Sequence, residues 1–185
     1  MNLREASGLL RNLIFRLTRV IICALPGGRM VAFGPRGDQI GAIVIINLAR
    51  QPRRWRRAIR ELRRFRMSDG SSLVSIVKRF AAIDARDGRA IAATADVDPN
   101  YCIGDQLFVQ PDERLAECFD INEPVKMTRQ EIAVARSHIE VWKNIGEGSQ
   151  RFGLVLEDDI WFSWNAATAV GKGWRAALRR CQPES

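Results

Sequence analysis

The 185-residue chain has only four cysteines, Cys23, Cys102, Cys118 and Cys181, and none pairs closely enough with another to form a CxxC or a Cys/His cluster. That scatter argues against a structural zinc site and against a disulfide framework, and leaves reduced thiols in a cytoplasmic protein as the simplest expectation. Long apolar runs are missing too. Arginines interrupt every one, so no stretch approaches the ~20 residues that a helix needs to span a bilayer. The apolar segment 20–25 is short and set among arginines, which does not suit a signal peptide. Acids are outnumbered: 21 Asp and Glu face 29 Lys and Arg, for a formal net charge of +8 and a pI near 10.1. Such an excess attracts polyanions, whether nucleic acid, anionic lipid or the phosphates of a nucleotide.

What is present is otherwise ordinary for a globular protein, 46% hydrophobic and 27% charged residues. The length allows one sizeable core or a domain with an appendage. Near the N-terminus Leu9, Leu10, Leu13, Ile14, Leu17, Val20 and Ile21 recur at helical spacing, with Arg4, Arg11, Arg16 and Arg19 largely off that stripe. The pattern predicts a basic amphipathic helix. It either lies on an anionic membrane surface or packs on its own domain or a partner. Gly27, Gly28, Gly34, Pro35 and Gly37 then read as a linker. The expected division is therefore 1–38 for helix and linker and 39–185 for the domain proper.

Residues 41–48 are uncharged and β-branched and predict a buried first strand. A helix follows over 50–66, with Pro52 near its start and Trp55, Ile59, Leu62 and Phe65 as its buried stripe. Phe80–Ile83 predicts a second strand emerging at Asp84. Residues 96–123 read as loop with a brief strand at 106–109. Thr128 and Glu131 form a capping box, and Met127 and Ile132 have the spacing of a hydrophobic staple. That helix is expected to reach about Ile145, bury Ile132, Ala135, Ile139 and Trp142, and stop at Gly146. A strand over 153–157 and a helix from Trp164 complete the series, and no internal repeat is visible. The alternation predicts an α/β layer with a mainly parallel sheet.

The strand over 153–157 carries the most informative feature. Leu154-Val155-Leu156 is followed at once by Glu157-Asp158-Asp159. Four non-polar positions from Gly153 suit a strand buried on both faces, and in open α/β sheets ligands bind where such strands emerge. Three adjacent carboxylates repel one another, so burying them needs a cation or several hydrogen bonds. A hard divalent ion completed by phosphate oxygens would serve. An acidic turn facing water is the alternative.

Four blocks taken in order, Ile46-Asn47-Leu48-Ala49-Arg50 with Arg53-Arg54, Arg79-Phe80-Ala81-Ala82-Ile83-Asp84, Met127-Thr128-Arg129-Gln130-Glu131 leading to Ser137-His138, and Leu154 to Asp159, resemble glycosyltransferase family 25. That family includes bacterial lipopolysaccharide and lipooligosaccharide galactosyltransferases and the collagen galactosyltransferases. The resemblance covers roughly residues 42–162. It implies a GT-A type, Rossmann-like fold with helices flanking the sheet, and transfer of a hexose with inversion from a nucleotide-sugar donor, typically UDP-galactose. It also implies Mn²⁺ or Mg²⁺ as cofactor and a glycan or lipid-linked acceptor at the inner face of the cytoplasmic membrane.

Carried onto this chain, the resemblance makes Asp159 the first choice as metal ligand and Asp158 the second. Glu157 contacts ribose or orients its neighbours. Arg50 and Arg54 are candidates for the diphosphate, which a guanidinium can hold in a bidentate way, while the other arginines read as a solvated helix face. Asn47 and Asp84 are candidates for the uridine, with capping or turn chemistry as the alternative. His138, the only histidine, borders its helix's buried stripe and is expected to be structural close to the donor site. An inverting transfer needs a base to deprotonate the attacking hydroxyl, and no catalytic residue is assigned. The chain stops soon after the acidic motif, where the family continues, so an apparently truncated member is expected. An inactive interaction module is the competing reading. A nucleic-acid binder is a weaker third, because the spacing of Trp55 and Phe65 suits core packing better than base stacking.

Overall fold

In chain order the described elements are β1 (Gly28–Arg29), β2 (Ala42–Asn47), α1 (Pro52–Leu62), β3 (Phe65–Arg66), a 3-10 turn (Leu73–Ile76), β4 (Val77–Ala81), β5 (Asn100–Cys102), α2 (Ile103–Gln106), α3 (Glu113–Cys118), β6 (Pro124–Lys126), α4 (Arg129–Gly146), β7 (Gly153–Glu157) and α5 (Ala166–Arg180). The computed structural model describes residues 17–18, 20–22, 24–86, 97–106 and 113–180. Two units divide the chain, 1–80 with 148–185, and 81–147.

The first unit is α/β, as the alternation predicts. Its three-stranded sheet has the order β4-β2-β7, and β7 runs parallel to β2 with Ile43 opposite Leu154 and Ile45 opposite Leu156. β2 is β-branched and uncharged because it is the middle strand, covered on both faces. Ile43 and Ile45 are completely buried, and only Val44 is partly exposed. β7 departs from expectation. Among the described residues it is an edge strand, so its apolar positions are half-covered rather than buried on both faces.

α1 is shorter than the predicted 50–66. Pro52 starts it, where a missing N–H costs least, and Ala58 and Leu62 enter the core beside Ile43 and Ile45, with Trp55 and Ile59 half-buried against it. Phe65 is not the last residue of the helical stripe. It lies in β3, fully buried, with its ring edge-on to Phe162 at 5.2 Å. The glycine-punctuated stretch expected to be a linker contributes to this core as well: Met30, Ala32 and Phe33 are each 1% exposed. Gly27 is needed there for space, since a Cβ would lie 2.3 Å from the Phe65 ring. β4 begins and ends earlier than the predicted strand at 80–83.

In the second unit β5 and β6 pair antiparallel, Tyr101 opposite Val125. α4 starts at the predicted capping box: Glu131 N donates to Thr128 Oγ1 at 3.3 Å and Thr128 N donates to Glu131 Oε2 at 2.6 Å. Its buried face is Ile132, Ala133, Ser137 and Val141. Of the remaining positions of the predicted stripe, Ala135 and Ile139 are half-buried and Trp142 is 60% exposed. Small residues set the packed face here, because Ala133 and Ser137 allow close approach and the Ser137 hydroxyl accepts a hydrogen bond from Ile83 N at 2.9 Å. Gly146 is the last helical residue, followed by Glu147 in the right-handed region, so it is not a left-handed stop. Gln106 ends α2, and the rest of the strand expected at 106–109 lies outside the described residues.

Most of the predicted N-terminal helix also lies outside them; residues 17–18, 20–22 and 24 are helical. Among the described residues no helix is long and apolar enough to cross a membrane. Cys102 and Cys118 are free thiols.

Candidate functional site

Parallel pairing of β2 with β7 sets Ile46 opposite Glu157, so the next residues, Asn47 and Asp158, leave the sheet side by side. Both are buried, at 1% and 5% exposure. A carboxylate and an amide can be withdrawn from water only if their polar atoms find partners, and here they find each other: Asn47 Nδ2 donates to Asp158 Oδ2 and also to Gln51 O, the latter at 3.2 Å. Asn47 Oδ1 accepts from Arg79 Nη2 on β4. Arg79 in turn lies over the Trp55 ring, 5.5 Å from its centroid, in a cation–π contact.

The other oxygen of Asp158 meets the helix that follows β2. Arg54 Nη1 is 3.1 Å from Asp158 Oδ1, and Arg54 Nη2 is 3.7 Å from Asp159 Oδ2. Arg54 stands in the first turn of α1, which holds no acid and no side-chain cap. A cation there is opposed by the helix dipole, and the two aspartates offset that opposition. The site thus has a definite internal order, with Trp55 under Arg79, Arg79 on Asn47, Asn47 on Asp158, and Asp158 with Asp159 on Arg54.

The sequence-derived candidates are therefore sorted. Asn47, Arg54, Asp158 and Asp159 are brought together. Glu157 ends β7 and is exposed, so the carboxylate trio divides into one buried acid and two exposed ones. Arg50 is exposed in the turn between β2 and α1. Asp84 and His138 belong to the second unit. There Asp84 Oδ1 accepts from Arg86 N at 3.1 Å, the turn chemistry held open for it, and His138 is half-buried with its ring 5.9 Å from that of Trp142. The serine preceding His138 is a packing residue: Ser137 Oγ also donates to Ala133 O at 2.7 Å. Arg79 and Trp55 were not singled out as site residues. The signal for Arg79 was its place beside Lys78 as one of two cations inside an otherwise apolar stretch, and for Trp55 its place immediately after Arg54.

Among the described residues no group of three or more His, Cys, Asp or Glu is placed to hold a metal ion. What the site offers is two carboxylates converging on one guanidinium. Hard oxygen donors of this kind fit Mn²⁺ or Mg²⁺ when phosphate supplies the remaining oxygens, since such ions are commonly held by one or two carboxylates plus substrate phosphates.

An α/β domain with polar groups gathered beyond the carboxyl ends of adjacent parallel strands is of the kind that binds its ligand at that edge. Residues 41–174, well over half of the chain, match glycosyltransferase family 25, described as an LPS biosynthesis protein, and the chain belongs to that family. No curated protein and no solved structure gave a significant match.

Proposed function

We propose that the protein transfers a hexose, galactose from UDP-galactose, with inversion of configuration to a cell-surface glycan such as lipopolysaccharide, working at the inner face of the cytoplasmic membrane. The observation that carries this reading is the buried Asp158 fixed between Asn47 and Arg54 at the ends of β2 and β7, in a chain of glycosyltransferase family 25. Departure of a nucleoside diphosphate builds negative charge on its phosphate oxygens. Guanidinium groups already oriented by fixed partners stabilise that charge without reorganising during the reaction. Arg54, aligned by two aspartates, and Arg79, aligned by Asn47 and Trp55, are such groups. Arg50 is exposed in the turn that leads into the same helix.

Asp159 and Asp158 are the residues that would hold Mn²⁺ or Mg²⁺. When bound, the ion would act as a Lewis acid on the diphosphate. The chain's own contribution is positional. Asn47 keeps the Asp158 carboxylate in one orientation, and the sheet edge keeps both acids next to the first turn of α1.

A second reading is favoured by one specific observation: both oxygens of Asp158 already have protein donors, as in a purely structural pin. On that reading the chain is an inactive interaction module. Measuring UDP release from UDP-galactose by the purified protein, with and without Mn²⁺, decides between them. Release that is abolished by chelation and by Asp159→Ala supports the transferase. No release, together with no shift in melting temperature at millimolar UDP-galactose and Mn²⁺, would leave the module.

A further inference from the structure

Five of the nine arginines of residues 50–66, a stretch whose arginines other than Arg50 and Arg54 are expected to form a solvated face, fall into two groups. Arg54 and Arg64 are taken up by carboxylates. Arg60, Arg63 and Arg66 instead join Arg29 around an open groove at the far end of α1 from Arg54, floored by Gly28 and bordered by Leu25. All four of these arginines are exposed. The parallel pairing of β1 with β3 places Arg29 opposite Arg66, and like charges directly opposite in a ladder oppose pairing. Asp69 does little to relieve them. Its Oδ1 accepts from Ser71 N at 2.9 Å and from Ser71 Oγ at 2.6 Å, and its carboxyl is held below the ordinary aspartate range chiefly by Ser71 and least by Arg29. The helix dipole accounts for cations at Arg60 and Arg63, but not for Arg29 beside Arg66.

An apolar stripe adjoins the groove. Leu17, Val20, Ile21 and Leu25 are 56%, 69%, 62% and 55% exposed, and their spacing puts them on one side of a helix. Arg64 Nε donates to Leu25 O at 3.2 Å, tying the end of that segment to the groove. A soluble polyanion would call for charge alone. Exposed leucine, isoleucine and valine beside clustered arginines are the combination suited to the boundary between lipid headgroups and acyl chains.

We propose that this face is a membrane-surface site, in which Arg29, Arg60, Arg63 and Arg66 bind the phosphates of anionic lipids and Leu17, Val20, Ile21 and Leu25 enter the interface. It lies at the opposite end of α1 from Arg54 and Asp158, so it does not depend on the transferase reading. The test is co-sedimentation of the full chain with phosphatidylcholine vesicles with and without phosphatidylglycerol, no donor present. Binding is expected only to the anionic vesicles, weakening as salt rises. Arg29→Gln/Arg63→Gln/Arg66→Gln should lower the affinity about 100-fold, since each arginine near an anionic surface is worth about fivefold. Leu17→Ser/Ile21→Ser, which keeps every charge, should weaken binding as well. Equal binding to both vesicle types, or full binding by both variants, overturns the proposal. Retention on heparin without vesicle binding also overturns it, and assigns the groove to a soluble polyanion.

Discussion

Arg54 Nη1 lies 3.1 Å from Asp158 Oδ1, so this buried carboxylate already has a guanidinium as its partner. With Asp159 Oδ2 at 3.7 Å from the same side chain, one cation serves both acids. On the proposed function, a divalent ion held by those acids would have to compete with Arg54, and Arg54, once displaced, would become available to a diphosphate.

The first prediction follows from that competition. Arg54→Gln removes the resident cation and keeps a side chain of similar reach. Mn²⁺ should then bind more tightly to the protein without nucleotide, by about three- to tenfold, because a partly exposed ion pair is worth roughly 1 kcal/mol. UDP affinity should fall in the same variant, since a charge-assisted contact to phosphate is lost. Titration of free Mn²⁺ by electron paramagnetic resonance, with calorimetry for UDP, reads the two separately. Unchanged Mn²⁺ affinity would remove the exchange.

Asp158 and Asp159 are neighbours in sequence with opposite surroundings, and their variants should separate accordingly. Asp158→Ala leaves the buried Asn47 amide without its carboxylate acceptor. Loss of stability should be about 2 kcal/mol, the scale of an unsatisfied buried polar group. Asp159 is exposed, so Asp159→Ala should change stability by less than about 0.5 kcal/mol while abolishing UDP release. Urea melts and a nucleotide-release assay on both proteins make the comparison. A strongly destabilised Asp159→Ala would contradict the site as described.

Legibility in the sequence followed how local each determinant is. The capping box at Thr128 and Glu131 is written within four residues and appears as expected. β2 was readable because a middle strand has a uniform environment, and uniform hydrophobicity is a direct signal. The Asn47–Asp158 contact spans 111 positions, yet both residues were candidates, because each ends an apolar run and the ends of parallel strands converge. Pairings that cross the chain with no such marker were not legible. Arg54 turning onto the aspartates, Arg79 bonding Asn47, and Phe65 leaving its helix to fill the space beside Gly27 all depend on tertiary neighbours. In α4 the apolar periodicity pointed to the larger side chains, whereas the packed face follows the smaller ones and the Ser137 hydroxyl.

Glu61 and Arg64 form a buried ion pair: Arg64 Nη1 is 3.0 Å from Glu61 Oε2, with side chains 2% and 5% exposed for Glu61 and Arg64. Arg64 also donates to Leu25 O and to Phe162 O, joining the segment before β1 to the loop after β7. Removing one partner strands the other charge, which costs about 3–5 kcal/mol. Glu61→Ala and Arg64→Ala should each destabilise on that scale, and the double variant by much less than their sum. A double-mutant cycle in urea measures the coupling. Additive losses would mean that the two side chains do not act as a pair.

The capping box sets a pH response. Hydrogen bonds from Thr128 N and then from Thr128 Oγ1 hold the Glu131 carboxyl below the ordinary glutamate range. A group whose pKa is depressed in the folded state contributes stability above its unfolded pKa and loses it as the pH falls through the folded one. Thr128→Ala removes the side-chain half of the box and relaxes Glu131 toward its ordinary value. The variant should therefore be less stable than wild type at neutral pH, by about 1 kcal/mol as for other N-cap threonines. The gap should narrow once the pH is low enough to protonate Glu131 in both proteins. Thermal melts of the pair at neutral pH and below the acidic range compare the two gaps. A gap that stays constant with pH would show that the Thr128 hydroxyl does not hold the Glu131 carboxylate.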